Sequence, residues 1–177
     1  CERLLQVQNS KHHVNRVAMV QYSISGQLSY DQFINKVEAY IQQAHQNQAN
    51  MIVFPEFNSA DLIDTNASTA KIVHDFGFVA QKYTEVYFQK LLELSKKYNM
   101  VIVGGSIPRM EGQQVRNTCP IAFPNSKLVQ QDKIYLTPTE RQWGWQNGTD
   151  LNVVQSTLGK TAVLMCHDSE FPDISAK

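Results

Sequence analysis

The chain has 177 residues, 42% of them hydrophobic and 18% charged, an ordinary balance for one globular domain. Sixteen basic residues offset sixteen acidic ones to a formal charge of zero, so nothing draws the protein to phosphate backbones or anionic membranes, and neither nucleic acid nor membrane is an expected partner. The three cysteines, Cys1, Cys119 and Cys166, are odd in number and share no short repeated spacing, which argues against a disulfide framework and fits a reducing, cytoplasmic compartment.

The histidines His12, His13, His45, His74 and His167 form no H-x-x-x-H pair, and no metal site is expected. Apolar runs are far too short for a membrane span, and the polar, mixed-charge start does not read as a signal peptide. Residues 1–15 carry no clean period and read as a lead-in or linker, with one domain over 16–177. The chain opens on Cys1 without an initiator methionine, so its numbering is expected to begin inside a longer gene product.

Residues 16–22 read as a first strand, broken at Ser25-Gly26. Ser29 and Gln32 form a capping-box pattern, and Phe33, Ile34, Val37, Tyr40, Ile41 and Ala44 follow at helical spacing, an amphipathic helix of about 18 residues. Met51-Ile52-Val53-Phe54 is a short apolar strand stopped by Pro55. The β-α-β order implies a right-handed crossover and a parallel or mixed sheet. Residues 57–75 are polar without clear period and read as a long loop. A second helix is expected from Val79 to Tyr98, then a buried strand at 100–103 closed by Gly104-Gly105-Ser106. Strands at 114–123 and 128–135 flank a turn at 124–127, and 151–155 with 161–165 suggest another hairpin around Gly159.

The last of these runs ends on Cys166, and the chain turns polar at His167-Asp168-Ser169-Glu170. A cysteine at a strand end is most often inert packing. The polar residues after it instead put the thiol at a rim, at the carboxyl end of a strand where open α/β sheets place their chemistry and where its pKa can be tuned down. His167 also offers a backbone N–H beside the sulfur, but neighbours on an extended chain face opposite ways, so its ring is not an easy partner for the thiol. A Cys–His dyad would need His45 or His74.

Glu56, just beyond the strand that ends at Phe54, is either a solvated acid or a carboxylate suited to general-base work. Lys133 sits in an alternating stretch and is either an outward residue or a fixed cation for an oxyanion. Glu140 is either a surface acid or a second carboxylate holding Lys133. Trp143-Gly144-Trp145 reads equally as core or pocket wall.

Phe54-Pro55-Glu56, Asp132-Lys133-Ile134-Tyr135-Leu136 with Glu140, and Cys166 through Asp173 stand in an order and spacing that resemble the nitrilase, or carbon–nitrogen hydrolase, superfamily. Gly104-Gly105-Ser106 and Arg116-Asn117-Thr118 resemble its connecting segments. The resemblance runs from about residue 16 onward and implies an α/β fold, the four-layer αββα sandwich. It implies Cys166 as nucleophile, Glu56 as general base, Lys133 and the His167 N–H as oxyanion donors, and Glu140 as the group that positions lysine and substrate. His167 stands where many members carry an aromatic residue and is expected to alter pocket polarity.

The implied reaction is hydrolysis of a non-peptide carbon–nitrogen bond in a small-molecule amide or related substrate, through a cysteine thioester. No cofactor is implied, and a homo-oligomer, a dimer or larger, is. The family's domain continues well past the nucleophile, so this chain is expected to hold its N-terminal part and an incomplete sandwich. The competing expectations are a catalytically silent module that keeps the sandwich, and a Cys–His peptidase.

Overall fold

The computed structural model describes residues 15–156 and 158–175. Its main sheet has six strands: β1 (Val17–Met19), β2 (Met51–Phe54), β3 (Val101–Gly104), β4 (Ile107–Glu111), β5 (Gln114–Ala122) and β6 (Leu128–Asp132). β1, β2 and β3 pair in parallel, and β5 runs antiparallel to β3, β4 and β6. Five helices accompany it: α1 (Tyr30–Gln46), α2 (Thr69–Lys82), α3 (Thr84–Tyr98), α4 (Pro138–Gln142) and α5 (Pro172–Ser175). A two-stranded antiparallel sheet of β7 (Val154–Ser156) and β8 (Gly159–Thr161) completes the set.

The two-residue period of the central strands divides the core into two halves. Ile52, Phe54, Ile102 and Ala122 face a helical layer in which Phe33, Ile34, Val37, Ile41 and Ala44 of α1 meet Tyr87, Phe88, Leu91 and Leu94 of α3. Met51, Val101, Val103, Cys119 and Ile121 face the other way and pack with Val154 and Met165, with Leu158 and Val163 at the margin. Helices, main sheet and small sheet thus stack as three successive layers of an αββα arrangement. A second helical layer is not built among the described residues. No described helix is long and apolar enough to cross a membrane.

Local signals explain much of this. α1 begins where Ser29 accepts from the Gln32 N–H at 3.2 Å and Gln32 returns a bond to the Ser29 N–H at 2.9 Å, the reciprocal cap read from sequence. The expected loop at 57–75 is structured instead. It contains a 3-10 turn at Asn58–Leu62 and the first part of α2, capped by Ser68. Ile72, Phe76 and Val79 supply the apolar stripe there, but the polar residues between them dilute the period. The expected single helix from Val79 is two helices. Thr84 at the joint sends its hydroxyl to the carbonyls of Pro108 (2.6 Å) and Val79 (3.5 Å), a bond that competes with continuous helix.

The strands expected at 16–22, 128–135, 151–155 and 161–165 are shorter or displaced, with β7 beginning only at Val154, and β4 is an addition. The first is only β1, the sixth stops at Asp132, and 161–165 is not a buried strand: β8 ends at Thr161, Ala162 is exposed, and Val163 and Leu164 are half-buried. Among the described residues that segment pairs only with β7. β4 carries Pro108, whose missing N–H suits an edge strand.

Candidate active site

Turns at one end of the main sheet bring the expected residues together. Glu56 follows β2, Lys133 follows β6, Glu140 lies in α4, and Cys166 opens a 3-10 turn over Cys166–Glu170. The Lys133 ammonium donates to Glu56 Oε1 at 2.7 Å and to Glu140 Oε2 at 2.8 Å. Lys133 and Glu140 are each 1% exposed, so Lys133 is not the outward residue its alternating stretch allows.

Glu140 is doubly employed. Thr137 at the N-cap of α4 gives it both its backbone N–H and its hydroxyl, each at 2.8 Å, and Pro138 sets the first helical position. The carboxylate that caps α4 is therefore the one that grips Lys133. Burial alone would raise the Glu140 pKa, but bonds from Lys133, the Thr137 N–H and Asn117 hold it below the usual range. Burial alone would likewise lower Lys133, and the carboxylates of Glu140 and Glu56 more than offset it, keeping its pKa above the ordinary value.

Asn117 on β5 joins the two acids. Its amide nitrogen donates to Glu56 Oε1 at 2.9 Å and Glu140 Oε1 at 2.8 Å, and its carbonyl accepts the Lys133 N–H at 2.9 Å. The side-chain carbonyl of Asn117 is buried with no hydrogen-bond partner among the described residues. The sequence signal for Asn117 was slight, a polar residue inside a strand that is otherwise buried from that point onward.

Cys166 is exposed and adopts φ +46°. The left-handed region costs a non-glycine residue roughly 1–2 kcal/mol, and such strain gathers where a side chain must be aimed. The sulfur lines a cavity of about 200 Å³ with Glu56, Val103, Gly105, Cys119, Leu164 and Met165 among its walls. Its pKa is raised, not tuned down as the rim position suggests. Desolvation and then the Glu56 carboxylate push it up, Lys133 pulls it down, a hydrogen bond with Glu56 pushes it up again, and the His167 N–H pulls it down. A thiol so placed is mostly protonated at neutral pH and needs a base to become a nucleophile.

The remaining candidates lie elsewhere. The His167 ring sits edge-on to Phe171 at 5.1 Å and its Nδ1 is 3.2 Å from Glu170; it is not among the cavity's lining residues. His45 packs against Tyr98 and His74 pairs with Asp75 on α2, so neither forms a dyad with Cys166. Trp143 and Trp145 join Phe57 and Phe76 in one aromatic cluster. Trp145 is core, Trp143 packs half-buried against it, and both anchor the segments that carry Glu56 and Glu140.

A family model for carbon–nitrogen hydrolases matches residues 16–177. The chain belongs to this family. As a carbon–nitrogen hydrolase it is 30% identical over 163 residues to the probable hydrolase YhcX of Bacillus subtilis, covering 90% of this chain and 31% of that protein. It is also 30% identical over 170 residues to omega-amidase NIT2 of Mus musculus, covering 90% and 57%. The crystal structure of Nit3 from Saccharomyces cerevisiae, a member of the nitrilase superfamily, superposes with a TM-score of 0.73 at 25% identity over 91% of this chain and 58% of that one. An amidase from Nesterenkonia sp. AN1 shares the fold, with a TM-score of 0.75 at 18% identity. The chain spans about a third to somewhat over half the length of these curated relatives.

Proposed function

We propose that the protein is a thiol-dependent amidase in which Cys166 attacks the carbonyl carbon of a small-molecule amide. The observation that carries this reading is the unequal charge at the site: two carboxylates share one ammonium close to the Cys166 thiol. Glu56 takes the thiol proton as sulfur bonds to carbon; the bonds from Asn117 and Lys133 both go to its Oε1, and Oε2 is the acceptor. The carbonyl oxygen gains the electron pair and is stabilised by the Lys133 ammonium and the His167 N–H. Collapse of this intermediate breaks the carbon–nitrogen bond, and Glu56 returns its proton to the departing ammonia or amine. Water, deprotonated by Glu56, then cleaves the thioester to release the acid and restore the thiol.

Glu140 holds Lys133 in place and charged. The omega-amidase relatives support an amide substrate over a nitrile. The test is an amide panel followed by ammonia release and intact mass. An acyl adduct on Cys166, with turnover abolished in a folded Cys166→Ala variant, is the expected result; undiminished turnover in that variant would sink the reading. A glutamate-to-glutamine mutant of the Nesterenkonia amidase shows the Michael addition of acrylamide at its active-site cysteine, so acrylamide is a suitable trap when no substrate is in hand.

A further inference from the structure

We infer that Asp168 is a positioning residue that holds the Cys166 turn in register with Lys133, an inference that rests on the hydrolase reading of this site. Asp168 is 1% exposed. Its Oδ1 accepts the N–H groups of Ile134 (3.1 Å) and Tyr135 (2.7 Å), and its Oδ2 accepts the N–H of Met165 (3.1 Å). Two of these donors follow Lys133 directly and the third precedes Cys166 directly. One carboxylate therefore ties the backbone of the two reactive segments together.

The chemistry of the site requires a carboxylate. Three N–H groups converge on two oxygens, whereas an amide offers one acceptor oxygen and would point its own NH2 at a donor. Bonds from N–H to a charged oxygen are also shorter and stronger than neutral ones. The turn closes on itself as well, since the Asp168 N–H donates to the Met165 carbonyl at 3.0 Å. A residue in the left-handed region persists only where its surroundings over-determine it, and Asp168 fixes the peptide just before Cys166. The neighbouring ionisable groups are engaged with one another, Tyr135 with Asp173 at 2.6 Å and His167 with Glu170.

A buried aspartate that only stabilised its turn would leave the relation of sulfur to ammonium unchanged. The two roles separate in the pH profile of Cys166 alkylation by iodoacetamide, measured for the unmodified chain, Asp168→Asn and Asp168→Ala, each with and without Glu56→Gln, and with Cys166→Ser as the blank. Glu56→Gln removes a carboxylate that pushes the thiol up, so it lowers the midpoint in the unmodified chain. Positioning predicts that this shift largely disappears in the Asp168 variants, because the parted turn no longer holds the sulfur beside the cluster, whereas removal of the Asp168 charge alone would leave it intact. On an amide that the unmodified chain hydrolyses, kcat falls about a hundredfold with KM within about twofold.

An undiminished Glu56→Gln shift in an Asp168 variant that melts cooperatively overturns the inference. If neither variant folds, hydrogen exchange on the unmodified chain decides: slow exchange at Met165, Ile134 and Tyr135 supports the staple, and exchange at the solvent rate overturns it. Alkylation needs no turnover, so a diminished shift in a chain that hydrolyses no amide would count against the hydrolase reading and leave the staple standing.

Discussion

Two buried lysine–carboxylate clusters lie only a few residues apart along the chain, and their contrast separates structure from chemistry. Asp61, fully buried in the 3-10 turn after Glu56, accepts from Lys36 and the Tyr22 hydroxyl at 2.6 Å, the Ser25 N–H at 2.5 Å and the Gly26 N–H at 3.0 Å. One carboxylate there meets one ammonium and three further donors. Lys36 holds its ammonium 4.3 Å from the centre of the Tyr22 ring and keeps 22% of its side chain in solvent. At Lys133 the proportions reverse, with two carboxylates competing for a single ammonium that is sealed from water. The first cluster is balanced and pins a loop. The second retains surplus negative charge next to a thiol, which is what a proton acceptor requires.

The contrast is sharpest in Glu56→Gln. The amide can still accept at its oxygen from Lys133, but it cannot take a proton. Turnover is expected to fall by about 10²–10⁴-fold with little change in the melting midpoint, as read by steady-state kinetics beside a thermal melt. An equal loss of stability would make Glu56 a structural partner like Asp61. Lys133→Met is expected to destabilise the fold by about 3–5 kcal/mol, since it strands the buried Glu140 carboxylate beside the half-buried Glu56; chemical denaturation measures it. If Lys36→Met costs more, the two clusters have been ranked in the wrong order.

Asp61→Asn is expected to cost about 1–3 kcal/mol and to leave the pH profile of Cys166 alkylation where it was. The mildest effect is in acid. Burial alone would raise Asp61, but bonds from Lys36, Tyr22 and two N–H groups hold it below its ordinary value, and Glu140 is lowered too. Their stabilisation is present above the unfolded carboxylate range of about 4 and is lost as pH falls through the lower folded values. Melting midpoints should therefore decline below about pH 4, less steeply in Asp61→Asn.

Sequence legibility followed how local each signal was. The α1 capping box, the short apolar runs of β2 and β3 and the strand at β5 are written in neighbouring residues and emerge as expected. The helix break at Tyr83–Thr84 depends on the Pro108 carbonyl on another strand, which no local period reports. At the site, Glu56, Lys133, Glu140 and Cys166 were singled out through their flanking motifs. Asn117 and Asp168 lie inside the resembling segments without a role of their own. Both act by bridging segments remote in the chain, so their partners become visible only once the turns are assembled.

Gly105 stands at φ +73°, and a methyl group added there would fall 2.3 Å from Asn58 Oδ1 and 2.6 Å from the Pro55 carbonyl. That carbonyl belongs to the residue that leads into Glu56, so a side chain at position 105 would push the acid away from the lysine and the sulfur. The glycine is thus a diagnostic for sorting sequences. A chain that keeps the glutamate, lysine and cysteine but carries a bulkier residue here must either reroute its acid-bearing loop or set its reactive groups farther apart.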